Sequence, residues 1–210
     1  MHNFKIKITT KSPLQLGYGR AGIVIDSDVV HDKYGMPYFP AKRFKGLLYE
    51  SALEIAEIFD EKIFTKKDID KLFGQGEDGI SRIYINNFYL KNYEKMYSDW
   101  QYLNNKYKGF FTVQSILDLY TDIRYQTTID KKTGTTVDGS LHNMRIIDAG
   151  TEFYGEIILI EDCELNQKIL ALALKNLRFA GAKRNRGCGQ INCLLINEKE
   201  LPQKIFKEVI

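Results

Sequence analysis

Three aspartates and a histidine fall within one short segment, IVIDSDVVHD, as Asp26, Asp28, His31 and Asp32. On an extended backbone, side chains two residues apart point the same way. Asp26 and Asp28 could therefore share a hard cation such as magnesium. One of them could also orient a hydroxyl for attack on a phosphodiester. Aspartates that cap loop turns would leave the same run of residues. His31 has no second histidine beside it in the sequence, so a loop role suits it better than an acid–base role.

The chemical complement of those carboxylates lies near the other end. GAKRNRGCGQI (181–191) places Lys183, Arg184 and Arg186 between Gly181, Gly187 and Gly189, with no Asp or Glu as far as Asn192. Glycine permits positive φ and a close approach of the backbone to a ligand. Amides and cations in such a loop suit phosphates, although a solvated turn has a similar composition. The spacing is not that of a P-loop, because G-x-x-x-x-G-K-[ST] is absent. A second basic cluster, PAKRFKG (40–46), sets Lys42, Arg43 and Lys45 at the start of a helix. Helix N-termini already favour anions, so cations there make most sense with an anionic partner. The polar run TTIDKKTGTTVDGSLHNMR (127–145) carries Lys131, Lys132 and Arg145. It is long for a structureless loop and suits a two-stranded finger rising from a sheet.

These residues need a scaffold, and the periodicities supply one. FKIKITT (4–10) alternates as a strand. Phe44, Leu47, Leu48, Ala52, Ile55 and Ile58 recur at helical spacing to about Phe59. KKDIDKLFG (66–74) is a short helix stopped by Gly74. SRIYINNFYL (81–90) reads as a strand, and 91–110 as an irregular or helical insertion. A strand begins near residue 121, followed by the polar loop and a strand pair around a turn at Ala149–Gly150. LNQKILALALKNLRF (165–179) is a helix with Ile169, Leu170, Ala173, Leu174 and Leu177 on one face. GQINCLLI (189–196) closes the series as a strand. The order predicts a β-α-β-β-α-β, ferredoxin-like α+β fold: a four-stranded antiparallel sheet with two helices. The 210 residues and 44% hydrophobic content suit a single domain, 1–210, with insertions at about 11–42, 91–120 and 128–145.

The net charge of +3 does not by itself indicate nucleic acid. Cys163, Cys188 and Cys193 lack C-x-x-C spacing, which argues against a disulfide framework or a zinc site and for free thiols in a reducing cytoplasm. The N-terminus does not read as a signal peptide, and no apolar run reaches the ~20 residues of a membrane span. A soluble, cytoplasmic protein without a membrane partner is expected.

Four stretches together resemble the RAMP superfamily, the repeat-associated proteins of CRISPR effector complexes, and above all its type III branch. They are LGYGRAGIVIDSDVVHDKYGMPYFPAKRFKGLL (16–48), LFGQGEDGISRIYI (72–85), TTIDKKTGTTVDGSLHNMRIIDAGTEFYGEI (127–157) and GAKRNRGCGQI. They span nearly the whole chain in family order. The resemblance implies an RRM-like fold, a thumb-like β-hairpin between the second and third core strands, and a glycine-rich loop that contacts RNA. It implies a CRISPR guide RNA, complementary target RNA and other RAMP subunits as partners. The RNA-binding residues so implied are Arg20, Lys42, Arg43, Lys45, Lys131, Lys132, Arg145, Lys183, Arg184 and Arg186. Some backbone subunits of the family cut target RNA through an aspartate before the first helix. Asp26 stands at that place, with a divalent metal such as magnesium on Asp26 and Asp28 if the chain is a metal-dependent endoribonuclease. The family often has two glycines before that aspartate, where this chain has Ile23, Val24 and Ile25. Two alternatives stay open: a non-catalytic cap on the guide 5′ end, and a repeat-processing endoribonuclease using His31 without a metal.

Overall fold

The computed structural model describes residues 1–17 and 25–196. Its centre is a sheet that starts with β1 (His2–Thr10), in which Phe4, Ile6 and Ile8 are fully buried and the intervening residues are not. The same alternation in β6 (Glu152–Leu159) buries Phe153, Ile157 and Leu159. Together with β2 (Ile83–Ile85) and β7 (Ile191–Leu195), they form an antiparallel sheet in the order β2-β6-β1-β7. A two-residue strand, β3 (Tyr89–Leu90), pairs with β6 beyond the end of β2. Register is fixed by the apolar alternation, because a one-residue slip would turn Ile6 and Ile157 to the opposite face.

Helix α1 (Ala41–Ile58) and helix α5 (Glu164–Asn176) pack on each other and cover the buried face of the sheet. Where they cross, the Ser51 hydroxyl donates to the Ala173 carbonyl at 2.8 Å. Helix α1 has no side-chain N-cap of its own after Pro40. Asn87, between β2 and β3, fills that role with its Oδ1, which accepts from the Ala41 N–H at 2.8 Å. Helix α2 (Lys66–Phe73) opens with a Thr65/Asp68 capping box and stops at Gly74 with φ 77°. The chain order β1-α1-β2-β6-α5-β7 and the sheet order are those of the predicted ferredoxin-like fold.

Between β3 and β6 lie α3 (Tyr93–Lys106), α4 (Val113–Leu117) and a hairpin made of β4 (Thr121–Gln126) and β5 (His142–Ile147). This hairpin is a separate two-stranded sheet. Two expectations change here. The strands flanking Ala149–Gly150 do not pair with each other: β5 pairs with β4, and β6 with β1. Helix α5 ends at Asn176, so that Phe179 can bridge to Gln190. The predicted apolar face of α1 also loses Ile58, which is 67% exposed.

Candidate nucleic-acid interface

The glycine-rich loop is rigid at its base and bare at its tip. The Gly189 N–H donates to the Pro13 carbonyl at 2.8 Å, the Ala182 N–H to the Gln15 carbonyl at 3.0 Å, and the Gln190 N–H to Ser12 Oγ at 2.9 Å. Gly181 has φ 74°, and a Cβ there would stand 2.4 Å from the Gln15 carbonyl oxygen. Only glycine permits so close a clamp. Lys183 holds φ 60° without being glycine and leads into a single 3₁₀ turn, Arg184–Arg186. A non-glycine residue adopts this left-handed conformation only uncommonly. The side chains of Lys183, Arg184 and Arg186 make no hydrogen bond or ion pair among the described residues. Three cations within four residues, none in an ion pair among the described residues, raise the local positive potential.

A cleft of about 450 Å³ brings together segments far apart in sequence: Asp26 and Ser27, the loop end of the β4–β5 ladder at Gln126–Thr128 and His142–Met144, and Lys183 and Arg186 from the basic loop. The Asp26 carboxylate is 55% exposed. Its Oδ2 accepts from the Asn143 backbone N–H at 2.9 Å, and the Asp26 N–H donates to Asn143 Oδ1 at 2.8 Å. His142 Nδ1 lies 3.7 Å from the same Oδ2. Among the described residues Asp26 Oδ1 accepts no hydrogen bond. This is a negative group half in water beside two cations, an arrangement that can hold a phosphodiester and orient a hydroxyl next to it. His142 and Asn143 were not legible as site residues, since the Asp26–Asn143 contact spans 117 positions.

Other expected residues fall elsewhere. Arg145, expected to touch RNA from the finger, is fully buried. Its Nη1 donates to Asp118 Oδ1 and Thr121 Oγ1, both at 2.7 Å, and its Nε lies 3.2 Å from Asp28 Oδ1. Burial inside the hairpin base makes it a structural cation. In the same pairing the Asp28 carboxylate faces the Arg145 guanidinium. Among the described residues no group of three or more His, Cys, Asp or Glu could hold a metal. A magnesium ion here would rest on Asp26 Oδ1 and on phosphate oxygens, since magnesium sites commonly use one or two carboxylates plus phosphate.

Asp32 is a turn former. Its Oδ1 accepts from the N–H groups of Tyr34, Gly35 and Met36, each at 2.9 Å, and its Oδ2 from the Tyr93 hydroxyl at 3.0 Å. Burial, followed by that carboxylate, pushes the Tyr93 phenol well above its ordinary range. His31, whose Nδ1 is 2.7 Å from the Asp32 carbonyl oxygen, does not line the cleft. On α1, Arg43 Nη2 donates to the Gly17 carbonyl, and Lys45 Nζ to Ser81 Oγ at 2.8 Å. Burial lowers the Lys45 pKa. Lys42 is exposed. Lys131 and Lys132 sit at the exposed tip of the hairpin, closed by an Ile129–Thr136 bridge. Arg184 lines a second pocket of about 300 Å³ with Glu50, Glu54 and Phe179. Arg20 lies outside the described residues. Among the described residues no helix is long and apolar enough to cross a membrane.

A search of curated proteins found no match. Among solved structures, a chain of the cryo-EM structure of the type III-B Cmr-beta bound to cognate target RNA is similar, with TM-score 0.69 and 14% identity over 92% of this chain and 96% of that one. A chain of type III-B Cmr-beta in the apo state is similar at TM-score 0.68 and 14% identity, covering 93% and 98%. At that identity the likeness is one of fold. A family model described as the RAMP superfamily matches residues 7–192. With the ferredoxin-like sheet, the hairpin between its second and third core strands and the glycine-rich basic loop in place, the chain belongs to the RAMP superfamily.

Proposed function

We propose that this protein is a guide-RNA-binding backbone subunit of a type III CRISPR effector complex, and that Asp26 acts on complementary target RNA. The observation that carries the reading is the shared cleft: Lys183 and Arg186, which have no ion-pair partner among the described residues, line it together with the loop end of the β4–β5 ladder and the half-exposed Asp26 carboxylate. The guide backbone runs over the glycine-rich loop, where phosphates meet Lys183, Arg184 and Arg186. The hairpin inserts into the guide–target duplex and displaces a base. Distortion there sets a target 2′-hydroxyl in line with its neighbouring phosphorus. Asp26 Oδ1 takes the proton of that hydroxyl as its oxygen bonds to phosphorus; the P–O5′ bond breaks, leaving a 2′,3′-cyclic phosphate, and the departing O5′ takes a proton from water. A divalent cation, when bound, supplies charge stabilisation to the phosphoryl oxygens. Other RAMP subunits flank this one along the guide.

The test uses the protein assembled with a guide RNA and its partner subunits, given a labelled complementary RNA with magnesium or with chelator. Metal-dependent cuts at regular spacing, lost in Asp26→Ala while binding persists, are the expected result. Binding without cuts assigns a scaffold or a 5′-end cap. Cutting of a repeat hairpin in chelator, lost in His31→Ala, assigns the repeat-processing reading instead.

A further inference from the structure

The Asp26 segment is joined to the edge of β5 by an isolated parallel bridge. Ser27 bridges Met144 in parallel pairing, and the Arg145 N–H donates to the Ser27 carbonyl at 2.9 Å. One residue earlier, Asn143 closes a two-point clasp on Asp26: its backbone N–H reaches the carboxylate at 2.9 Å, and its side-chain oxygen takes the Asp26 N–H at 2.8 Å. One residue later, the buried Arg145 guanidinium stands 3.2 Å from Asp28. Three successive residues of the Asp26 segment are therefore tied to three successive residues of β5. Farther along, Leu14 and Ile147 exchange backbone hydrogen bonds at 2.9 and 2.8 Å, so the same edge of β5 is occupied at both ends.

We propose that Asn143 is the positioning residue for Asp26, and that through it the hairpin, on engaging RNA, sets where the Asp26 carboxylate stands. This rests on the reading of Asp26 given above. A carboxylate that is 55% exposed has no packing to hold its rotamer. Orientation must come from hydrogen bonds, and among the described residues Asn143 supplies those recorded for Asp26. The Asn143 side chain fixes the Asp26 backbone, so its loss loosens the chain that carries the carboxylate while the bond from the Asn143 backbone N–H stays. Lys183 and Arg186 line the same cleft, and His142 Nδ1 lies 3.7 Å from Asp26 Oδ2. A loosened Asp26 backbone lets the carboxylate turn among these groups. A displacement of about 1 Å at a reacting group costs on the order of 100-fold in rate.

The experiment uses the assembled complex and a labelled RNA complementary to the guide. Single-turnover cleavage and RNA affinity are measured for wild type, Asn143→Ala, Asn143→Asp and Asp26→Ala. Amide hydrogen exchange of residues 25–28 is followed in the same complexes with and without target. For Asn143→Ala, the expected result is a cleavage rate down about 100-fold, unchanged affinity, and faster exchange at 25–28. Asn143→Asp keeps the acceptor for the Asp26 N–H and is expected to restore protection of that amide. In wild type, target binding is expected to increase protection at 25–28. Unchanged exchange in Asn143→Ala overturns the clasp. Faster exchange with an unchanged rate overturns the positioning role. If Asp26→Ala cuts as wild type does, the reading of Asp26 falls first and the proposal with it. A fall in affinity matching the fall in rate would make Asn143 a residue of the fold alone.

Discussion

Arg145 shows how far chemistry at one residue depends on its surroundings. A guanidinium sealed inside the hairpin base holds Asp118, Thr121 and Asp28 together. Arg145→Ala would leave those carboxylates without their counter-charge and a cavity behind. Removing one partner of a buried pair costs about 3 kcal/mol, the lower end applying here because both aspartates keep access to water. Urea denaturation of Arg145→Ala beside Lys131→Ala, at the exposed tip, should show that loss in the first and almost none in the second. Gly181 gives a second prediction at this scale. A methyl group at 2.4 Å from the Gln15 carbonyl oxygen, on a residue at φ 74°, should destabilise by more than about 1 kcal/mol. Gly187→Ala has open space around it and should retain a higher melting temperature than Gly181→Ala. The thiols supply a third. Burial pushes the Cys193 thiol up to about 12, and Cys188 is also buried, whereas Cys163 is exposed. A thiol reagent at pH 8 should titrate one cysteine in the native protein and three after unfolding. Because the folded state holds the Cys193 proton more tightly than the unfolded chain, this contribution is fully present below about pH 8.5. It declines as pH rises from there towards about 12.

At the scale of elements, two segments are held by residues from outside themselves. Helix α1 borrows its cap from Asn87, which leaves its first turn free to carry Lys42, Arg43 and Lys45 in place of capping residues. Asn87→Ala should cost about 1 kcal/mol, read as a lower midpoint in chemical denaturation. The basic loop is clamped by segment 12–15. Its backbone is therefore ordered before any ligand arrives, which reduces the entropy lost on binding.

Over the whole molecule, charge placement matters more than its sum. A net charge of +3 is modest, yet one loop beside the cleft carries three cations that make no ion pair among the described residues. Single-stranded RNA affinity should fall steeply with salt as counterions are released. Neutralising Lys183, Arg184 and Arg186 to alanine should lower the magnitude of the log–log salt slope by about 2, at ~0.7 per phosphate contact. Reversal to glutamate should abolish binding. A slope unchanged by the triple alanine variant would move the RNA path off this loop.

The sequence by itself determined the elements whose evidence is local. Alternation in residues 4–10 and 152–159, helical periodicity in 165–176, and the Gly74 stop are all readable in windows shorter than twenty residues, because burial imposes the period of the element on its own apolar residues. The order of those elements was enough to specify a ferredoxin-like sheet. It also marked Asp26 and the 183–186 cations, whose residue types are unusual for their positions. Tertiary structure alone decided which charges face solvent. Arg145 and Lys183 read alike in sequence, yet one is buried against two aspartates and the other is bare. It also decided that Asp28 pairs with Arg145 while Asp26 meets Asn143 and His142. Those contacts cross more than a hundred residues, and strand pairing between distant segments leaves no periodic trace in either one.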